Sequence, residues 1–304
     1  PSTEGEEMAS GLIGQLNEVD PVMQRETSKS RPVNLFTSVD LYTSIDAPNR
    51  LIDILKVPPI HPPIKNIWWV QNEVDLTWSD SPFRDQDGDG FFNGEEYQAG
   101  TDPNDASDYG ELITKLEVAA VKSDLWRLEF YANPSAGPQF KLSYKKFGGP
   151  TKRNEIGPGN GIAKGDLFFG TEPGKERFKL LETFTKKEQT SVGEQNRPYA
   201  TLEDQLPNKK GKKYTIPLRP GPREKPIEAD HTVVFRLNAI GEEGNLFEVA
   251  ENGTFALPSG GAEKIYKLVE VTVDAERKPV SVTVEYSKDG VTKKRVIELP
   301  TPPA

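Results

Sequence analysis

The run Asp85-Gln86-Asp87-Gly88-Asp89-Gly90-Phe91-Phe92-Asn93-Gly94-Glu95-Glu96 puts carboxylates at alternate positions and closes on a glutamate. That spacing suits a hard cation that takes oxygen ligands. Calcium loops draw ligands from positions 1, 3, 5, 7 and 12, with a glycine at position 6 for the sharp turn. On that pattern Asp85, Asp87 and Asp89 give the first three ligands and Gly90 makes the turn. The Phe91 carbonyl falls at position 7 and Asn93 at position 9, where a ligand often acts through water. Glu96 closes the loop with both oxygens. The aspartates repel one another, so an ordinary solvent loop has little reason to keep this order. A metal-free acidic turn is the alternative.

The flanking residues decide what kind of loop this is. Pro82 and the polar run Asp75–Arg84 disfavour an entering helix. A helix is predicted after the loop, from Asn93 to Ala99, with Gly100 as its stop and Thr101-Asp102-Pro103 turning the chain. The paired helices of a calcium sensor are therefore not expected. Asp85 to Pro103 resembles the D-x-D-x-D-G-x-x-N-x-x-E-(Y/F)-x-x-G-T-D-P module of many secreted bacterial proteins. That module is similar to the calcium loops of thrombospondin type 3 repeats and dockerins. Dockerins carry two copies, whereas one stands here. A single site implies a structural staple, because an ion bound only by the native state stabilises it by mass action.

Composition narrows the setting. The 304 residues include 26 prolines and 26 glycines, with 35% hydrophobic residues, so much of the chain is expected as loop and linker. A net charge of −9 argues against a general nucleic-acid binder. With no cysteine, disulfides and thiolate zinc sites are excluded. No apolar run reaches the roughly 18 residues that a membrane span needs. The chain begins Pro-Ser-Thr-Glu, and the expectation is that an export or anchoring segment precedes it. A periplasmic or surface location, where calcium fills even weak sites, is the expected compartment.

The expected organisation has four parts. Residues 1–66 read as an N-terminal arm, with helical spacing at Leu12–Met23 and Ala47–Leu55, a linker at Ser28–Pro32 and an extended proline spacer at Pro58–Ile64. Residues 67–109 carry Ile67-Trp68-Trp69-Val70, read as a short strand, and the calcium loop. Residues 110–221 and 222–304 read as two small antiparallel β-domains, so the fold class is mainly β. Alternation is clear at Leu116-Glu-Val118, Trp126-Arg-Leu128-Glu-Phe130 and Phe140-Lys-Leu142-Ser-Tyr144.

The two β segments look repeated. Gly165–Glu182 aligns without gaps on Gly253–Glu270, matching Phe178-Lys-Leu180 with Tyr266-Lys-Leu268. Thr201-Leu202-Glu203 then corresponds to Thr283-Val284-Glu285. A lysine-rich stretch, Lys209–Lys213 against Lys293–Arg295, is read as a solvated hairpin tip. Each unit ends in a strand closed by proline, at Pro217 and Pro300. Gly165, Asp166, Phe169 and Gly170 resemble the small β-domain of type IV pilus PilP proteins and type II secretion GspC proteins. With the aspartate-rich loop, the whole is similar to pilus-like-system proteins of verrucomicrobial bacteria. The resemblance implies docking on a secretin-like or pilus-like protein partner, with Phe178–Glu182 or Tyr266–Glu270 as candidate contact edges.

Catalysis is not expected. The two histidines, His61 and His231, have no partner spacing that suggests a triad or metal site, and no G-x-S-x-G or H-E-x-x-H is present. Two other functions stay open. Trp68, Trp69 and Trp78 would suit a glycan platform on an adhesin, and the chain would also suit a non-catalytic part of a secreted hydrolase.

Overall fold

A computed structural model describes residues 41–155, 161–169, 176–190, 193–221 and 228–300. The expected helix at Leu12–Met23 and the linker at Ser28–Pro32 lie outside the described residues. The chain divides into two compact units, Pro1–Ile60 and His61–Ala304.

In the first unit, β1 (Leu41–Ser44) and β2 (Ala47–Asp53) form a hairpin. The helix expected at Ala47–Leu55 is thus a strand followed by a short 3-10 turn, Ile54–Lys56. Its apolar residues were read as one helical face. The tight connection at Ile45-Asp46 instead turns them back against β1, and the hairpin supplies the hydrogen bonds. Asp53 Oδ1 accepts from Leu55 N–H and caps the turn.

The second unit opens with a tryptophan-centred module. The proline spacer does not run extended past His61, because the chain bends back between His61 and Ile64. His61 Nε2 lies 2.8 Å from the Leu76 carbonyl, and its ring meets Trp69 edge-on. The expected Trp68-Trp69 strand is a helix, α1 (Asn66–Gln71), which fully buries Trp69. No neighbouring strand pairs with these residues, and a helix satisfies its backbone internally. The helix α2 (Asn93–Ala99) follows the acidic loop, and Trp68 packs edge-on against Tyr97 of α2.

The remainder is antiparallel β. The 17-residue strand β3 (Leu116–Ala132) is central. With β4 (Gln139–Lys145), β5 (Thr151–Glu155), β10 (Glu228–Leu237) and β11 (Leu246–Ala250) it forms a five-stranded sheet in the order β11-β10-β3-β4-β5. A four-stranded sheet contains β6 (Leu167–Phe168), β7 (Phe178–Thr190), β8 (Gly193–Asp204) and β9 (Lys213–Pro217) in sequence order. A second one contains β12 (Thr254–Phe255), β13 (Tyr266–Val273), β14 (Pro279–Lys288) and β15 (Val291–Glu298), likewise in order.

Each four-stranded sheet packs on part of the five-stranded one. Trp126, Leu128 and Phe130 of β3 join Phe140 and Leu142 against Phe178, Leu180 and Leu202. Leu116 and Val118 join Val233 and Phe235 against Tyr266, Leu268 and Val284. Side chains alternate along β10, so Val233, which meets the second sheet, and Asp230, which meets Arg177 beside the first, point to opposite faces. The layers therefore cover opposite faces of a shared sheet. The expected boundary between residues 221 and 222 does not separate two sheets, since β10 pairs with β3 along its whole length. Local pattern marks strands but does not say which distant strand completes a sheet.

The repeat is visible in register. Phe168 pairs with Phe178 as Phe255 pairs with Tyr266, and Leu180 faces Leu202 as Leu268 faces Val284. Both long strands break register at the next residue, between Leu180 and Glu182 and between Leu268 and Glu270. The equivalence needs a one-residue gap that the gapless alignment lacks: Phe168, not Leu167, matches Phe255. At the far end Ile216 faces Ala200 as Ile297 faces Val282.

Candidate metal centre

The acidic loop is held from both ends. Before it, Ser81–Phe83 form a short 3-10 turn, with Pro82 inside it. After it, α2 starts with the Glu95 carboxylate accepting from Phe92 N–H at 2.8 Å. Gly100, at φ 78, ends α2 by donating its N–H to the Glu96 carbonyl. The predicted span of this helix and its glycine stop are both observed.

Within the loop the aspartates fold the backbone around themselves. Asp85 Oδ1 accepts from Gly88 N–H and its Oδ2 from Gly90 N–H. Asp87 Oδ1 accepts from Asp89 N–H, and Asp89 Oδ1 from Phe91 N–H. One ligand oxygen from each of these aspartates lies within 4.8 Å of the others. Asn93 Nδ2 donates to the Ser81 carbonyl at 2.8 Å, which fixes the amide so that its Oδ1 is left over.

What remains unsatisfied is informative. Asp87 Oδ2, Asp89 Oδ2, Asn93 Oδ1 and both Glu96 oxygens are buried and make no hydrogen bond. Glu96 is fully buried, and Asp89 and Asn93 nearly so. A buried polar atom without a partner is costly, and a buried charge more so. These five oxygens are acceptors, so the partner they lack is a donor or a cation, and so many oxygens with clustered carboxylates suit a cation. The residues fit calcium, with Asp85, Asp87, Asp89, Asn93 and Glu96 as side-chain ligands and position 7 falling to the Phe91 backbone.

Electrostatics agree. Burial, followed by repulsion from Asp87, Asp89, Asp85 and Asp102, pushes the Glu96 carboxyl up to about 8. Burial also raises Asp87 and Asp89 above the ordinary aspartate value. A divalent ion would reverse these effects by favouring the ionised forms.

The loop is also bolted to the β region. Ile240 N–H donates to the Asp89 carbonyl at 2.7 Å. Gly90 has φ +93, and a Cβ there would stand 2.7 Å from Ala239 Cα and 2.8 Å from the Asn238 carbonyl oxygen. Phe91 is buried with Leu112, Leu237 and Ala239 and stacks on Tyr109. Lys115 lies over the Phe91 and Phe92 rings and pairs with Glu95 at 2.5 Å. The calcium pattern asks for glycine at position 6 because of the turn. Here the same glycine lets the β10–β11 connection come close, which the motif did not reveal.

Other predicted features fall elsewhere. Trp69 is buried and its ring lies at 84° to that of Trp68, so these two do not form a coplanar exposed platform. Trp78 is exposed and bonded to Asp75, with Arg84 over its ring. Lys209 is not a solvated hairpin tip. It is buried, donating to the Ala229 carbonyl and to Asp230, both at 2.7 Å. Phe178–Leu180 and Tyr266–Lys267 are not free edges, since β7 and β13 have neighbours on both sides there. Arg177, which no sequence motif marks, joins Asp204 and Asp230 through its guanidinium and lies over Trp126. No spacing rule marks a cation that meets its partners from distant strands.

No curated protein and no solved structure matches the chain. A family model does match part of it: residues 85–106, the loop, α2 and the turn beyond, match the bacterial TSP3 repeat.

Proposed function

We propose that this chain is a non-enzymatic structural component of a bacterial envelope assembly, exported to a calcium-containing compartment and stapled by one calcium ion in the 85–96 loop. The observation that carries the calcium reading is the convergence of buried, unpartnered oxygens from Asp87, Asp89, Asn93 and Glu96. The bacterial TSP3 match over residues 85–106 supports the same chemistry and an exported setting. Among the described residues no helix is long and apolar enough to cross a membrane.

The ion would act through the loop's attachment. The Asp89 carbonyl and Gly90 touch the β10–β11 connection, so ordering the loop orders the ground on which α2 and the shared sheet meet. Thermal unfolding with calcium and with a chelator tests this. A calcium-dependent rise in Tm that vanishes in Asp87→Ala plus Glu96→Ala supports the staple, and an equal Tm in both conditions overturns it.

The assembly itself is read as pilus-like or secretin-like, from the resemblance of the β units to PilP and GspC domains. Strand edges are available for such a partner. Beyond Leu180, β7 has only β8 beside it among the described residues, and β15 closes its sheet. Cross-linking in the native envelope followed by mass spectrometry tests this part. Recovery of secretin or pilus components supports it, and recovery of cross-links only within the chain counts against it.

A further inference from the structure

The outer face of β3, β4 and β5 carries an unusual row of cations. Arg127 faces Ser143 across one ladder, and Ser143 faces Arg153 across the next. Leu125, Lys145 and Thr151 form the adjoining row. By alternation these residues point away from Trp126, Leu128, Phe140 and Leu142, which are buried under the first four-stranded sheet. They line a groove of about 280 Å³ in which no carboxylate takes part.

The basic side chains here are uncommitted. Elsewhere the described arginines are mostly engaged: Arg84 with Asp80, Arg177 with Asp204 and Asp230, Arg197 with Glu188, Arg236 with Glu117. Among the described residues, neither Arg127, Lys145 nor Arg153 has an ion pair. Arg127 Nε is buried and makes no hydrogen bond. Asp124 accepts from Phe147 N–H, and Glu129 faces Lys141 across the ladder. In a chain of net charge −9, adjacent unpaired cations are not explained by a general excess of basic residues.

We propose that this groove binds a tetrahedral oxyanion, a phosphate or sulfate group, between the Arg127 and Arg153 guanidinium groups. The two arginines rise from strands on either side of β4, about 10 Å apart at the backbone from two strand spacings. That is a span from which two long side chains converge over the central strand. Each offers a planar fork of N–H donors matched to an oxyanion. Ser143 lies between them and supplies a hydroxyl, while Lys145 and Thr151 add a third charge and a second hydroxyl from the next row. Binding would give the Arg127 guanidinium an anionic partner, which no described residue provides.

The test uses the full calcium-loaded chain, labelled with nitrogen-15. Sodium sulfate and phenyl phosphate are titrated separately at constant ionic strength, with chloride as the reference salt. The expected result is a saturable shift of the Arg127 Nε–H and the Ser143 backbone N–H resonances with at least one of the two anions, and the Ser143 signal reads binding in the arginine variants. The tighter anion identifies the source as a sulfate or a phosphate ester. Arg127→Met and Arg153→Met should each weaken binding by about tenfold or more, the cost of losing a charge-assisted hydrogen bond. Lys146→Met, outside the groove, should leave affinity unchanged. Unchanged circular dichroism establishes that each variant is folded, and Arg127→Lys serves where Arg127→Met is not. Unsaturable binding, or equal affinity in the groove variants and wild type, overturns the proposal.

Discussion

Two clusters of buried charge in this molecule solve opposite problems. At the junction of the sheets, Arg177 bonds Asp204 at 3.0 Å and Asp230 at 2.6 Å, and Lys209 bonds Asp230 at 2.7 Å. Both signs are present, and the network neutralises itself. Burial opposes the charge on Asp230, but Arg177 and Lys209 outweigh it and hold its carboxyl below the ordinary value. In the acidic loop only one sign is present. Burial there is unopposed at Glu96, and its carboxyl climbs to about 8. The mixed cluster balances its charges within the protein, although Arg177 Nε is left without a partner, whereas the single-sign loop leaves buried acceptors that a cation would suit.

Breaking the mixed cluster should have the largest effect. Arg177→Met leaves Asp204, fully buried, without its cation and Asp230 with Lys209 alone. A loss of about 3–5 kcal/mol is expected from urea unfolding, as for other buried pairs broken on one side. It should be the same with and without calcium. Withdrawing calcium is expected to cost about 2.7 kcal/mol relative to an ion concentration one hundred times Kd. That loss should be absent in Asp87→Ala plus Glu96→Ala.

Gly90→Ala tests the attachment of the loop to the β region. Its Cβ would stand 2.7 Å from Ala239 Cα on a backbone with φ +93. A cost of about 1–3 kcal/mol is expected from the strained conformation, with further loss from the clash. Calorimetry in calcium reads it. The sharpest contrast is one of sign. Glu96→Gln removes a charge that the metal-free protein holds at a cost, so at alkaline pH in chelator it should stabilise the fold by on the order of 1 kcal/mol. The same change should abolish the response to calcium.

The pH dependence should differ likewise. The Glu96 pKa is raised in the folded metal-free state, so unfolding releases its proton. Its contribution is complete below the unfolded carboxylate value and is lost as pH rises to about 8. Asp230 is lowered, so its contribution is complete above the unfolded value and is lost as pH falls through the folded one. Thermal melts in chelator across both ranges check the two signs, and saturating calcium should remove only the alkaline one.

Much of this was legible locally. The aspartate cluster, α2 and its Gly100 stop follow from residue types at fixed spacing, because an acidic turn and a helix cap are each made within a few residues. Alternation located the buried face of β3 and β4 for the same reason. It failed at Trp68-Trp69, where a short apolar run fits helix or strand equally until a neighbour pairs with it. The lysine run was misread at Lys209, whose acceptors come from β10 and are remote in sequence.

The sequence by itself determined the clustering of carboxylates in the acidic loop, the mainly β character and the existence of two related β units. Each depends on contacts a few residues apart or on a period that recurs along the chain. Only the tertiary structure decided that β10 and β11 complete a sheet begun by β3. It also decided that Gly90 carries the β10–β11 connection on its bare Cα and that Arg127 and Arg153 share one face. These are meetings of segments far apart in the chain, fixed by which surfaces must be buried together.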